Sequence, residues 1–352
     1  MQRSKVLVTI ADVAKQAGVS MMTVSRVINN SAHVSQKTRQ RVLQAVEELS
    51  YRPNMVARSL ATRRNQMIAY VVSNLANPFF AEVSMGVENV CAERGYIVII
   101  YDVSSEKRLE ACLNMLIDRR LDGVIFHHLD IRHEHVEQLR QNGVCCVTID
   151  NERDLPEVTR VDSDNFEGGR NAALYLIEHG HWRIGCIHGC YDGKMIESYS
   201  NLEYIERFQR RIWHDRTAGF LDGMRSADLE PVCMLEGRGT ASVGFKSGSE
   251  LFRQISCMDH APTALYCEND VIALGVLSEC MELGWRVPEE IALIGHDGLE
   301  IGMQLYPRIT SIHQPRYQMG SIAAEKLLDS IESKTEPEQI LVHSDLFCGD
   351  TV

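Results

Sequence analysis

Hydrophobic positions change rhythm once along this chain, near residue 66. Before it, apolar side chains recur every three or four residues in three short runs, separated by Gly18 and by "NNSAH". That spacing predicts three amphipathic helices. Thr9 is placed to cap the first, with Val13 and Ala14 inward; Ser20 caps the second, which buries Val24 and Val27. Ser35 caps the third, with Val42, Leu43, Val46 and Leu49 on one face. Helix, short turn containing glycine, helix is the helix-turn-helix arrangement, whose second helix enters the DNA major groove. Pro53 is placed to open a further short helix, "NMVARSLA".

From Met67 the pattern is of short unbroken apolar runs: "MIAYVVS", "YIVIIYD", "GVIF", "VCCVTID", "RIGCIHG", "TALYCEN" and "IALIGHD". Runs of that kind are strands of a parallel sheet buried on both faces. Amphipathic stretches at 78–94, 107–119, 133–141, 166–179, 243–254 and 270–283 separate them. The result is a doubly wound α/β body, long enough for two lobes with a cleft between. Ligands of such sheets bind beyond the carboxyl ends of the strands, which directs attention to Asn77–Phe80, Asp150, Asn269, Asp270 and Asp297. One segment, "CYDGKMIESYSNLEYIERFQRRIWHD" (190–215), lengthens what should be a short strand-to-helix loop. It reads as an inserted helix at the cleft or as a disordered loop.

Charge divides the chain at the same place as the rhythm. Residues 1–64 hold 11 Lys and Arg against Asp12, Glu47 and Glu48, a net +8, so residues 65–352 carry −20 of the overall −12. A basic module on an acidic body suits a module that alone meets a polyanion. At 352 residues, 45% hydrophobic and 24% charged, the composition is that of a soluble protein of two or three domains. No run approaches the length of a membrane helix, and the start does not read as a secretory signal. The 11 cysteines lie in apolar surroundings without a C-x-x-C pair, as reduced thiols of a cytoplasmic protein would.

The stretches "TIADVAKQAGVSMMTVSRVINNSAHVSQKTRQRV", "LSYRPNMVARSL", "NPFFAEVSMGVENVCAERGY", "RRLDGVIF", "DNFEGGRNAALYLIEHGH", "CENDVIALGVL" and "ALIGHDG" occur in this order. On them the chain resembles the lactose-repressor/galactose-repressor (LacI/GalR) family of bacterial transcription regulators, over nearly everything except 190–215 and the last few residues. The resemblance implies a helix-turn-helix domain (1–52), a hinge helix and linker (53–65), and a two-lobed domain like periplasmic binding proteins (66–352). The N-lobe would comprise about 66–163 and 315–339, the C-lobe about 164–314 and 340–352.

By the same resemblance, Thr23, Ser25, Asn29, His33, Ser35 and Thr38 match positions that touch the DNA backbone, and Ser20, which caps the recognition helix, belongs to the DNA-binding set. Arg26 matches a position that reaches a base edge, with a phosphate contact as the alternative. Met21 and Met22 occupy the positions that select the operator, unless one folds back onto the core. Asn54, Ala57 and Leu60 match the hinge helix, Leu60 as an apolar wedge in the minor groove; a plain linker is the alternative. In the cleft, Phe79 and Phe80 would form a wall, Asp150, Asn269 and Asp297 would meet ligand hydroxyls, Arg216 would clamp the ligand, and Gln314 lies nearby. No cofactor is implied.

Two other constellations stand out in the sequence. His127, His128, His133 and His135 lie close in sequence, but without cysteines or fixed spacing they read as solvated or cleft-lining side chains rather than a metal site. "IHGCYDG" is neither a phosphate loop nor a nucleophile elbow, and no catalytic set is visible. The expectation is a cytoplasmic homodimeric repressor that binds a palindromic operator and answers to a sugar-like effector. A purine or nucleoside effector is the runner-up. Asn151 stands where an aromatic follows the cleft aspartate in the purine repressor, which favours a sugar. A pure sugar receptor would not explain the basic module, and a tetramer would require a heptad tail that the sequence does not show.

Overall fold

A computed structural model describes residues 8–28, 34–51, 64–103, 106–190, 211–238, 241–333 and 335–352. Two compact units result, Met1–Asn65 and Gln66–Val352. In the first, α1 (Ile10–Ala17), α2 (Met21–Ile28) and α3 (Gln36–Glu48) enclose a small core around Val13, Val24, Val27, Val42 and Ala45. Thr9 and Asp12 form a reciprocal capping box on α1, and Gly18 ends it at φ +62°, a conformation that glycine adopts without strain. Ser35 accepts from the Thr38 amide and caps α3. Leu43 departs from the predicted core face: it is exposed, and Ala45 is buried in its stead.

The second unit holds two six-stranded sheets. The first has the order β11-β5-β4-β3-β1-β2, all parallel, built from β1 (Met67–Val72), β2 (Ile97–Asp102), β3 (Gly123–His127), β4 (Cys145–Ile149), β5 (Thr159–Ser163) and β11 (Gln339–Val342). The second repeats it as β12-β10-β9-β8-β6-β7: β6 (Ile184–Cys190), β7 (Cys233–Arg238), β8 (Ala264–Cys267), β9 (Ala292–Asp297), β10 (Thr310–His313) and the antiparallel edge β12 (Asp345–Phe347). All seven predicted apolar runs are strands. β8 and β9 are buried throughout, as strands covered by helices on both faces must be. The chain passes between sheets after β5, after β10 and after β11. Because β11 pairs with β5, the last passage falls beyond Val342 and not at 339–340 as the sequence suggested.

The helices are α4 (Pro78–Glu93), α5 (Glu106–Asp118), α6 (His133–Gln141) and α12 (Arg316–Ser333) with the first sheet. With the second are α7 (Asn165–Glu178), α8 (Arg211–Arg225), α9 (Ala241–Ser256), α10 (Asp270–Leu283) and α11 (Glu300–Gln304). Three pairs cross on reciprocal glycines. A Cβ at Gly86 would strike the Tyr317 carbonyl and one at Gly320 the Val83 carbonyl; Gly169 and Gly219 relate in the same way to Arg216 and Phe166, and Gly248 and Gly275 to Ile272 and Phe245. Backbone meets backbone at each crossing, which fixes helix positions more tightly than side-chain packing does.

Candidate functional site

The first unit turns one polar face outward. Ser20 accepts from the Thr23 amide at 3.2 Å, and the two hydroxyls lie 2.9 Å apart, ordering the start of α2. Met21 and Met22 are 54% and 65% exposed, so both thioethers point away from the core. Arg26 is exposed one turn further on, while Val24 and Val27 anchor the opposite face. Asn29, His33, Asn54, Ala57 and Leu60 lie outside the described residues, as does the hinge helix.

In the second unit, six of the seven predicted effector residues line one cavity: Phe79, Phe80, Asp150, Arg216, Asn269 and Asp297. The strand-end rule explains the convergence, since β3, β4, β8 and β9 all point their carboxyl ends at it. Three lining residues, His128, Asp150 and Asp297, take left-handed φ values of 56°, 45° and 108°. Such backbone costs on the order of 1–3 kcal/mol per residue and is retained where a site must be held in place. Phe79 and Phe80 meet edge to face at 5.7 Å and pack on His127. His127 is itself held by the Tyr70 hydroxyl at 2.6 Å from Nδ1, and burial keeps its imidazole neutral.

Arg216 is the centre of the polar half. Its Nε donates to Asn165 Oδ1 at 2.8 Å, Nη1 donates to the Glu268 carbonyl, and Nη2 lies 3.1 Å from Asp297 Oδ1. It sits in the second turn of α8. Gln314 does not line the cavity; fully buried, it donates to Asp297 Oδ1 at 3.0 Å from behind. Asn269 spends its Oδ1 on capping α10, leaving Nδ2 buried without a partner. Asp150 accepts from the Ser163 amide and hydroxyl; burial first, and then the neighbouring Asp162, push its carboxyl up to about 7. A larger chamber of about 190 Å³ adjoins, sharing Asp150 and Ile212 and adding Asp162, Asp164 and Asp215.

The sequence reading missed three members of this assembly. Ile212 and Trp213 lie in the described end of the 190–215 segment, which begins α8 at Arg211; the rest of that segment, 191–210, where an inserted helix was expected within 190–215, lies outside the described residues. Glu268 precedes Asn269 and is fully buried, its carboxylate accepting from the Gly189 amide and the Thr217 hydroxyl. Of the four histidines, His127 and His128 line the cavity, while His133 pairs with Glu157 and His135 accepts from the Arg132 amide. Among the described residues no group of His, Cys, Asp or Glu is placed to hold a metal. Asn151 is also placed otherwise than expected. Its amide serves the Ile131 amide and carbonyl and the Arg153 carbonyl, so the position carries structure and says little about the ligand.

Burial pushes the Glu268 carboxyl up to about 8, against the opposing pull of Thr217, Gly189 and Arg216. Its folded value lies above the ordinary 4.5, so its share of stability is complete below about pH 4.5 and is lost as pH rises toward 8. Glu268→Gln keeps an acceptor but cannot ionise. The variant should therefore gain on the wild type by on the order of 1 kcal/mol per pH unit between about pH 5 and 8. Denaturation midpoints at pH 5, 6.5 and 8 check this; parallel curves for the two proteins would show that Glu268 does not titrate in that range.

Two family models match the chain: "Bacterial regulatory proteins, lacI family" over residues 9–54 and "Periplasmic binding protein-like domain" over 173–352. The HTH-type transcriptional repressor PurR of Aliivibrio salmonicida is 36% identical over 338 residues, 95% of each chain. This chain belongs to the LacI family. The PurR of Vibrio vulnificus is 33% identical over 352 residues, 98% of this chain and 99% of the relative. Among solved structures, the lac repressor dimer bound to operator and the anti-inducer ONPF matches with a TM-score of 0.82 at 25% identity, over 98% of this chain and 99% of that one. The transcriptional regulator CelR–cellobiose complex matches with a TM-score of 0.70 at 30% identity, over 98% and 100%. The LacI-family chain is thus a DNA-binding transcriptional repressor and not an enzyme. No helix among its described residues is long and apolar enough to cross a membrane.

Proposed function

We propose that this repressor works as a homodimer on a palindromic operator and is controlled by a neutral, hydroxyl-rich effector, a sugar or sugar derivative, bound between its lobes. The observation that carries the effector class is the balance of the cleft. Asp150 and Asp297 share the inner cavity with the aromatic wall of Phe79 and Phe80, and Asp162, Asp164 and Asp215 line the chamber beside it. Such a lining repels anions and supplies acceptors for ligand hydroxyls, while Arg216 and the unpartnered Asn269 amide supply donors. Similarity to the cellobiose-bound CelR supports the same reading. A purine or nucleoside is the second reading, favoured by the PurR relatives and by the aromatic Trp213 in the lining. Calorimetry of the full chain with mono- and disaccharides and with purine bases separates them. Binding of a purine base and of no sugar would overturn the sugar reading.

On the DNA side, α2 would lie in the major groove with Arg26 on a guanine edge and Met21 and Met22 on thymine methyls. Homodimerisation follows from the two-fold symmetry of a palindromic site and agrees with the lac repressor dimer. Selecting sites from a random duplex library and then testing Arg26→Ala checks this assignment. The variant should lose about 1–3 kcal/mol and relax preference at one base pair per half-site. A uniform loss across all sequences would place Arg26 on phosphate instead.

A further inference from the structure

The inner cavity measures about 20 Å³, room for one water molecule. A ring that touches Phe80, Arg216 and Asp297 together cannot enter until a lining side chain moves. Most are fixed: Phe79, Phe80 and His127 are core residues, Asp150 and Asp297 are held by Ser163, Gln314 and Arg216, and Asn269 caps a helix. Trp213 is different. It is only half-buried, in the first turn of α8, and among the described residues no hydrogen bond holds its indole N–H.

What holds the indole is what would hold a ligand ring. One face lies over the Arg216 guanidinium, 5.4 Å from carbon to ring centroid. Across the cleft, the His128 ring of the first sheet's lobe is 6.1 Å away, tilted by 49°. Beneath is the bare backbone of Gly189, where a Cβ would collide with three indole atoms. A cation under a π face, a second ring and a flat floor are the usual elements of a seat for a flat ligand.

We propose that Trp213 is an internal occupant of the effector seat, a ring that the effector must displace from Arg216 in order to bind. This rests on the reading of the Arg216–Asp297 crevice as the effector cleft. It makes Trp213 a determinant of affinity and of ligand class, since the effector must offer Arg216 a better partner than an indole. A ring that merely formed a wall of the site would have the opposite effect when removed.

The test is calorimetry of the full chain and of Trp213→Ala with cellobiose and with guanine. Whichever probe binds should bind the variant at least tenfold more tightly. Unchanged or weaker binding would overturn the proposal and make Trp213 a wall. If Trp213→Ala does not fold, Trp213→Leu is measured in the same way. Should neither probe bind either protein, the effector reading has failed, and the seat is tested alone with free indole. Saturable indole binding by the variant and none by the wild type supports an exchangeable seat; no binding by the variant overturns it.

Discussion

Arg216→Ala should cost the second unit about 3–5 kcal/mol and silence its response to effector. The guanidinium is buried, and three groups depend on it: Asn165, the Glu268 carbonyl and the Asp297 carboxylate. Removing it strands Asp297, whose carboxyl burial already holds above its ordinary value. Asp270 and Glu268, pushed by burial to about 7 and about 8, stand close by. Arg316 remains, but its Nη1 donates to the Asp297 carbonyl while Nε and Nη2 pair with Glu82, so it cannot take over the fork. A loss of this size lowers Tm by on the order of 10 °C in a unit this large. It should deepen as pH rises, because an acid with a raised folded value costs most when it is forced to ionise. Arg216→Lys keeps the charge without the planar fork and should fall between. Thermal melts at pH 5.5 and 8, with operator titrations with and without effector, check both parts. A wild-type melt and a retained effector response would remove Arg216 from the site.

That prediction could be framed from sequence alone only in outline, and the reasons are physical. Strands buried on both faces must be continuously apolar, so "MIAYVVS" or "IALIGHD" stand out in any reading. β5, "TRVDS", does not, because Arg160 and Asp162 satisfy each other inside the sheet and hide the strand behind charge. β11 and β12 have only four and three residues, too few for a period to show. The strand-end rule found Asp150, Asn269 and Asp297 because it depends on topology, which the order of strands and helices reveals. Trp213 and Ile212 could not be assigned to the site because they end a long segment whose rough helical spacing leaves an inserted helix and a disordered loop both open. Glu268 was passed over for its neighbour Asn269: a buried glutamate beside a helix cap has no periodic signature. Leu43 shows the limit of periodicity at helix resolution, since a modest rotation of the buried face left it exposed and buried Ala45 on the other side of Val42.

Gly219→Ala should approach the loss of Arg216 in its damage, although it adds only one methyl group. Gly219 faces the Phe166 carbonyl and Gly169 faces the Arg216 carbonyl, so α7 and α8 touch backbone to backbone. A side chain that meets another side chain can change rotamer, but a Cβ that meets a carbonyl can only push the helix away. Overpacking of this kind typically costs about 1–3 kcal/mol, and the upper end applies where nothing flexible can yield. The consequence reaches the cleft because α8 carries Ile212, Trp213 and Arg216 on the same rigid body. Displacing it by even a fraction of an ångström spoils the fit of Arg216 between Asn165 and Asp297. Gly320→Ala, at the α4–α12 crossing, should lose comparable stability through the Val83 carbonyl. It should spare the Arg216 fork more than Gly219→Ala does, since α12 carries none of the cavity's lining and the α4 that it pushes carries the aromatic wall of Phe79 and Phe80 instead. Gly180→Ala is the comparison, because a Cβ there meets nothing within 4 Å and only its φ of +84° is unfavourable; it should cost about 1–2 kcal/mol. Denaturation midpoints rank the three, and calorimetry with the bound effector separates Gly219 from Gly320. A Gly219→Ala protein as stable as Gly180→Ala would show that the two helices are free to part, and that the position of Arg216 is set by something other than the crossing.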